Sequence, residues 1–127
     1  MNRFIIEFGF GVDFHGQDVN HAAEKAVKDA ISHGCLCGLE EIVGVNNPKD
    51  QIAVHVMVAV SRPEEIDANR IARLLPVGKV DIKMASGGMR VPGIYVPEFG
   101  DKDDSIEAAI ACVEVEVMLA SGDKRHR

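Results

Sequence analysis

Phe4-Ile5-Ile6-Glu7-Phe8-Gly9-Phe10 runs directly into Gly11-Val12-Asp13-Phe14-His15-Gly16, and the fold turns on this stretch. Phe4, Ile6, Phe8 and Phe10 alternate with Arg3, Glu7 and Gly9, a period-two pattern that predicts a strand over about residues 3–10. Beyond the stretch, Val19, Ala22, Ala23, Ala26, Val27, Ala30 and Ile31 recur at three- and four-residue spacing. They form one apolar stripe on a helix over about residues 18–33, with Asp18 as N-cap and Gly34 as its stop. The segment between, Gly9-x-Gly11-x-Asp13-x-His15-Gly16, therefore lies where a strand hands over to a helix.

The same reading continues outward. Gly34-Cys35-Leu36-Cys37-Gly38 is a loop, Leu39 to Val45 a short strand, and Asn46 to Asp50 a turn. Gln51 to Val60 is a strand with Ile52, Val54, Val56, Val58 and Val60 on one face and Ala53, His55, Met57 and Ala59 on the other. Arg62-Pro63-Glu64-Glu65 leads to a helix over about 67–75, capped by Asp67 and ended by Pro76 and Gly78. Val80, Ile82 and Met84 predict a one-sided strand. Ser86-Gly87-Gly88 and Val91-Pro92-Gly93 bracket a loop, followed by an extended piece near Ile94-Tyr95-Val96. In the last segment, Asp104-x-x-Glu107 resembles a capping box and Ala108 to Ala111 favours helix. Val113-Glu114-Val115-Glu116-Val117 alternates at strand period, and a strand over about 108–119 is preferred.

This order gives a single α+β domain over residues 1–127. The expected form is a two-layer sandwich, a mixed sheet of four to six strands with two helices on one face, of ferredoxin-like or trimeric chorismate-mutase-like type. The face carrying Ala53, His55, Met57, Ala59 and Cys112 would point away from the helices. It is too apolar to leave in water, so a homo-oligomer is expected, a trimer above other closed rings.

Composition narrows the function. Hydrophobic residues make up 46% of the 127, aromatic residues only 5% with no Trp, so the core is expected from Val, Ile, Leu and Ala. A net charge of −6 argues against nucleic acid or an anionic membrane surface as partner. The basic run Lys124-Arg125-His126-Arg127 reads as a solvated tail. No segment has the length of a bilayer span, and the opening apolar run is too short for a signal peptide. Three cysteines without a secretion signal read as reduced thiols in the cytoplasm.

Asp13 and His15 carry the chemistry. Two residues apart in extended backbone, their side chains leave the same face. A carboxylate beside an imidazole is a pair of ligands for a divalent metal such as zinc, or an acid/base pair. The plainer reading is that Asp13 caps the helix start and His15 is a loop residue. His55 is a third ligand if the first strand and the Gln51–Val60 strand are neighbours, with Glu7 on the same face. Gly9, Gly11 and Gly16 permit close approach of a ligand or of backbone. Ser86, Gly87 and Gly88 could form an anion-binding nest with Arg90 beside it, although a plain turn also accounts for them. Cys35-x-Cys37 lacks a second cysteine pair for a structural zinc site and the spacing of a redox dithiol.

The pattern Gly9, Gly11, Asp13, His15, Gly16, with Asp29-Ala30-Ile31-Ser32-His33, Pro63-Glu64 and Gly87-Gly88, resembles the "Lin" conserved-hypothetical protein family over most of the chain. That resemblance implies a shared site and no particular reaction. A shorter one, Gly9-x-Gly11-x-Asp13-x-His15, is similar to the opening motif of methylerythritol cyclodiphosphate synthases. It implies a metal held by Asp13 and His15 at a trimer interface, although the later His motif of those enzymes is absent. Ser86-Gly87-Gly88 is also similar to the Ser-Gly loops of ring-opening amidohydrolases. The expectation is a metal-dependent hydrolase or lyase acting on a small polar or anionic metabolite. The alternative is a non-catalytic ligand-binding or assembly protein, with Asp13 as cap and His15 binding the ligand.

Overall fold

The computed structural model describes residues 2–75 and 77–118. Pro76, the end of the expected last strand at Leu119, and the Lys124–Arg127 run lie outside the described residues. Strand β1 covers Asn2–Asp13, longer than expected because Gly11 to Asp13 stay extended. Helix α1 covers Val19–Ile31, and Asp18 caps it by accepting the Asn20 N–H at 2.8 Å.

The segment expected as a strand at Leu39–Val45 is instead a short helix, α2, Cys37–Glu41. The Ile42 and Val43 N–H groups both return to the Gly38 carbonyl, and Val45 to that of Leu39, so the backbone is satisfied locally. The expected turn at 46–50 tightens into one helical turn, α3, Pro48–Gln51, with proline at its start.

Strand β2, Ile52–Val60, is as read. A 3-10 turn at Pro63–Glu65 leads to α4, Ala68–Ala72, where Asp67 accepts the Asn69 N–H at 3.0 Å. Strand β3, Lys79–Ser86, pairs parallel with β2. The loop expected at 86–93 holds a fourth strand, β4, Met89–Pro92, joined to β3 through Gly87-Gly88. The piece at 94–96 is not a strand, and a 3-10 turn follows at Pro97–Phe99. Strand β5, Ser105–Val117, settles the last segment as extended.

The five strands make one mixed sheet in the order β1-β5-β2-β3, with β4 also pairing to β5. The last strand is thus the central one, antiparallel to β1 on one side and to β2 and β4 on the other. Helix α1 lies over β1 and β5, and α4 packs beside it. The protein is an α+β two-layer sandwich. Its core joins the α1 stripe to Val54, Val56, Val58 and Val60 of β2 and the odd-numbered residues of β5 from Ala109 to Val117.

The glycines of β1 explain how the layers meet. A Cβ built on Gly9 would lie 2.0 Å from the Ala26 carbonyl oxygen, and one on Gly11 2.3 Å from that of Ala22. The alanine stripe of α1 therefore rests directly on strand backbone. Past a bulge at Arg3–Ile5, which leaves Phe4 on the helix side against Gly38, Ile6, Phe8 and Phe10 alternate onto the opposite, helix-free face. The aromatic side of the opening strand, its most apolar side, is thus outside the core.

Candidate functional site

Residues from both ends of the chain meet where β1 passes into α1. After Asp13 the backbone turns through Gly16 at φ +92 and Gln17 at φ +52, a left-handed conformation unusual for glutamine. What holds it is a buried carboxylate 84 residues further on. Asp101 Oδ1 accepts the Gly16 N–H at 2.8 Å and the Gln17 side-chain amide at 3.3 Å. Its Oδ2 accepts the Val96 N–H and meets His15 Nδ1, each at 2.8 Å. Gln17 completes the tie by donating to the Ser105 carbonyl at 2.9 Å and accepting the Lys102 N–H at 2.7 Å.

The charge state follows from these bonds. Burial alone would push Asp101 up, but donors from His15, Val96, Gly16 and Gln17 outweigh it and hold the group well below the ordinary carboxylate range. An ionised carboxylate only accepts, so His15 donates to it from Nδ1, and Nε2 stays outside that contact. The His15 ring stands edge-on to Phe99, centroids 4.9 Å apart. His15 also lines a groove of about 370 Å³ whose other walls are Phe14, Gly93, Ile94, Val96, Phe99 and Ile106.

Asp13 is buried beside this junction and serves the loop. Its Oδ2 accepts the Asp18 N–H at 2.9 Å, and its Oδ1 is 3.8 Å from His21 Nδ1. Behind it, Glu107 is buried on β5. Its Oε1 accepts the Ser61 hydroxyl at 2.5 Å, and its Oε2 lies 3.1 Å from Arg90 Nε and 3.6 Å from Arg62. Arg62 also donates to the Gln17 carbonyl at 2.6 Å, linking this acid to the turn.

The structure does not bring His55 to Asp13 and His15. The first strand and β2 are not neighbours, because β5 lies between them. Asp13 pairs with Glu107 and His55 with Glu114, seven positions apart along β5, about 24 Å at strand rise. They also lie on opposite faces of the sheet, Asp13 and Glu7 on the helix side and His55 on the open side. Among the described residues, the set of three metal-capable side chains whose donor atoms gather is His55, Glu114 and Glu116, all within 4.8 Å of one another. Glu7 lines a separate, largely apolar cavity of about 200 Å³ with Ile31, Leu36 and Val113.

The other expected ligand-binding positions have structural partners. Gly9 and Gly11 meet helix backbone. The Gly87 N–H bonds to the Val60 carbonyl at 2.9 Å, and Gly88, at φ +67, turns the chain from β3 to β4 against the Ala108 carbonyl. Ser86 ends β3. Arg90 is committed to Asp103 at 3.0 Å and to Glu107, not free for an anion. Gly16 alone of these belongs to the His15 site. Asp101, Gln17 and Glu107 were missed in the sequence. The one available signal was the turn-forming Gly100-Asp101, whose glycine sits at φ +84.

A two-layer α+β chain with a carboxylate-held histidine at the end of its sheet is the class these observations define. The chain belongs to the family described as Conserved hypothetical protein (Lin0512_fam), which matches residues 3–115. It is also similar to a solved crystal structure, an FtsZ-like protein of unknown function from Nostoc punctiforme PCC 73102. The two are 40% identical with a TM-score of 0.83, over 93% of this chain and 97% of that one. No curated protein matches, so the shorter resemblance to methylerythritol cyclodiphosphate synthases gains no support there. Among the described residues, no helix is long and apolar enough to cross a membrane.

Proposed function

We propose that the protein is a homo-oligomeric enzyme acting on a small metabolite at His15, as a hydrolase or lyase. The observation that carries this reading is the His15 Nδ1–Asp101 contact at the wall of an apolar groove. Asp101 fixes the ring and its tautomer, and its negative charge favours the imidazolium that forms when Nε2 takes a proton. In a hydrolase that proton comes from water, and in a lyase from the substrate itself. The groove walls suit a substrate with an apolar body and one reacting polar group. Arg90 is spent on Asp103 and Glu107, which weighs against the anionic substrate that the sequence suggested.

A metal at His15 would find a single imidazole oriented from behind by Asp101. Asp13 is turned to the helix start and His55 lies at the far end of β5, so neither joins it.

Assembly follows from the open face. Ile6, Phe8, Phe10, Met57 and Ile110 are 46–66% exposed on it. At about half exposure, five side chains of roughly 200 Å² each present ~500 Å² of apolar surface, the size that marks an interaction site. This face is what favours the second reading, a non-catalytic ligand-binding or assembly protein.

A panel of small esters, lactones, amides and hydroxy acids should be screened for binding and turnover with wild type, His15→Ala and Phe99→Ala. The enzyme reading expects at least one compound turned over by wild type, with kcat reduced ~10²-fold or more in His15→Ala. Compounds that bind the groove of wild type and are never turned over would replace it with the ligand-binding reading.

A further inference from the structure

On the open face, far from His15, three strands bring four titratable side chains into one row. His55 of β2 pairs with Glu114 of β5 and with Asp81 of β3, and Glu116 lies two positions along from Glu114 on the same face. His55 Nδ1 contacts Asp81 and Nε2 contacts Glu116. A cleft of about 390 Å³ opens over the group, bounded also by Met57, Lys83 and Cys112.

An imidazole between two carboxylates presents a valence problem. The neutral ring has one N–H, so it satisfies one carboxylate and turns a lone pair on the other. Either the ring is doubly protonated, or a cation lies between Nε2 and the second carboxylate. Two features favour the cation. Glu114 supplies a third donor within 4.8 Å of the other two, which a single imidazolium N–H would leave unanswered. Asp81 stands behind Nδ1, where a carboxylate that orients a metal-bound histidine belongs. Three cations border the patch, Arg3 opposite Glu116 on β1 and Lys79 and Lys83 on β3, with Ile6, Phe8, Met57 and Cys112 filling the rest of its rim.

We infer that His55, Glu114 and Glu116 form a site for one divalent transition-metal ion, with Asp81 orienting His55 and an open coordination position facing the cleft. One imidazole and two carboxylates are a donor set suited to Zn²⁺ or Mn²⁺. The site does not depend on the His15 reading, because the two lie toward opposite ends of β5.

Zn²⁺ and, separately, Mn²⁺ should be titrated by calorimetry into chelator-stripped wild type, His55→Ala, Glu116→Gln, Asp13→Asn and His15→Ala. The site requires one zinc per chain in wild type, affinity at least tenfold weaker in His55→Ala and in Glu116→Gln, and no change in Asp13→Asn or His15→Ala. In nitrogen-15 spectra, zinc should shift His55 Nε2 and leave its Nδ1–H in place. Circular dichroism of each variant separates lost ligands from lost fold, and Glu114→Gln serves in place of any variant that fails to fold. No zinc uptake by wild type, or a His55 ring that stays doubly protonated with saturating zinc, overturns the site in favour of an imidazolium ion pair. Binding lost in His15→Ala instead of His55→Ala overturns it as well.

Discussion

Replacing Gly9 with alanine tests the seam between the two layers. The added Cβ would lie 2.0 Å from the Ala26 carbonyl oxygen, 2.4 Å from the Ala30 nitrogen and 2.9 Å from the Ala30 Cα. Ordinary contact begins near 3.4 Å, so the helix must retreat by about 1.4 Å, the difference between 3.4 Å and 2.0 Å. All three obstacles are backbone, and no rotamer change relieves them. Moving α1 also lifts Ala22, Ala23, Ala26 and Val27, all fully buried, from the sheet. Overpacking of this kind costs about 3 kcal/mol, against ~0.5 kcal/mol gained from the stiffer unfolded chain. That is a large part of a total stability of ~5–15 kcal/mol, and should lower Tm by roughly 10 °C. Gly34→Ala is the control, since nothing lies within 4 Å of its Cβ position. Calorimetric melting of both variants beside wild type decides the matter. A Gly9→Ala protein melting within a degree or two of wild type would mean that helix and strand are not in direct backbone contact.

Other outcomes follow from the same structure. Asp101 is held below its unfolded pKa of about 3.9, so its contribution to stability is complete above that pH and is lost as pH falls through the lower folded value. Urea denaturation at pH 7, 5 and 3 should therefore find Asp101→Asn less stable than wild type at pH 7, with the gap narrowing toward pH 3. A gap that widens on acidification contradicts an ionised Asp101. Glu107→Ala leaves the Ser61 hydroxyl without its acceptor and takes the buried carboxylate from beside Arg90 and Arg62, and should cost about 2–3 kcal/mol by the same assay. A cost under ~0.5 kcal/mol would show that these groups re-pair freely. Met57→Glu puts a charge on the apolar part of the open face. It should lower the sedimentation coefficient with circular dichroism unchanged, and a wild type already monomeric at micromolar concentration would refute the assembly reading.

The elements with a strong period were legible in the sequence. The α1 stripe, the two faces of β2 and the alternation of β5 each repeat over many residues, and burial follows that repetition. Short segments were not legible, because α2 and the Met89–Pro92 strand are set by which neighbour satisfies their backbone. The Gly9–Gly16 motif pointed to the strand-to-helix junction but not to the partners its side chains find there. Asp13 ends β1 and His15 lies in the turn beyond it, and each finds a different partner, Asp13 the helix start and His15 the distant Asp101. His55 failed as a third ligand for a topological reason. Period-two patterns tell which face a residue takes and not which strand lies beside it, and β5 entered between the two strands that adjacency required.

That central position of β5 has a consequence for how the chain comes to be folded at all. During synthesis β1, α1, β2 and β3 emerge first, and the strand that joins β1 to β2 comes after them. Until it arrives the α1 stripe has half a floor, and the edges of β1 and β2 that will receive it are unpaired. Every pairing that β5 makes with β1 spans close to the whole chain, from Asn2 with Val117 to Asp13 with Glu107. Such long-range closure is slow. The nascent protein thus passes through a stage that displays its phenylalanine row beside open strand edges, the combination most prone to misassociation. The tie from Asp101 to His15, Gly16 and Gln17 closes late for the same reason, so the site forms only with the complete sheet.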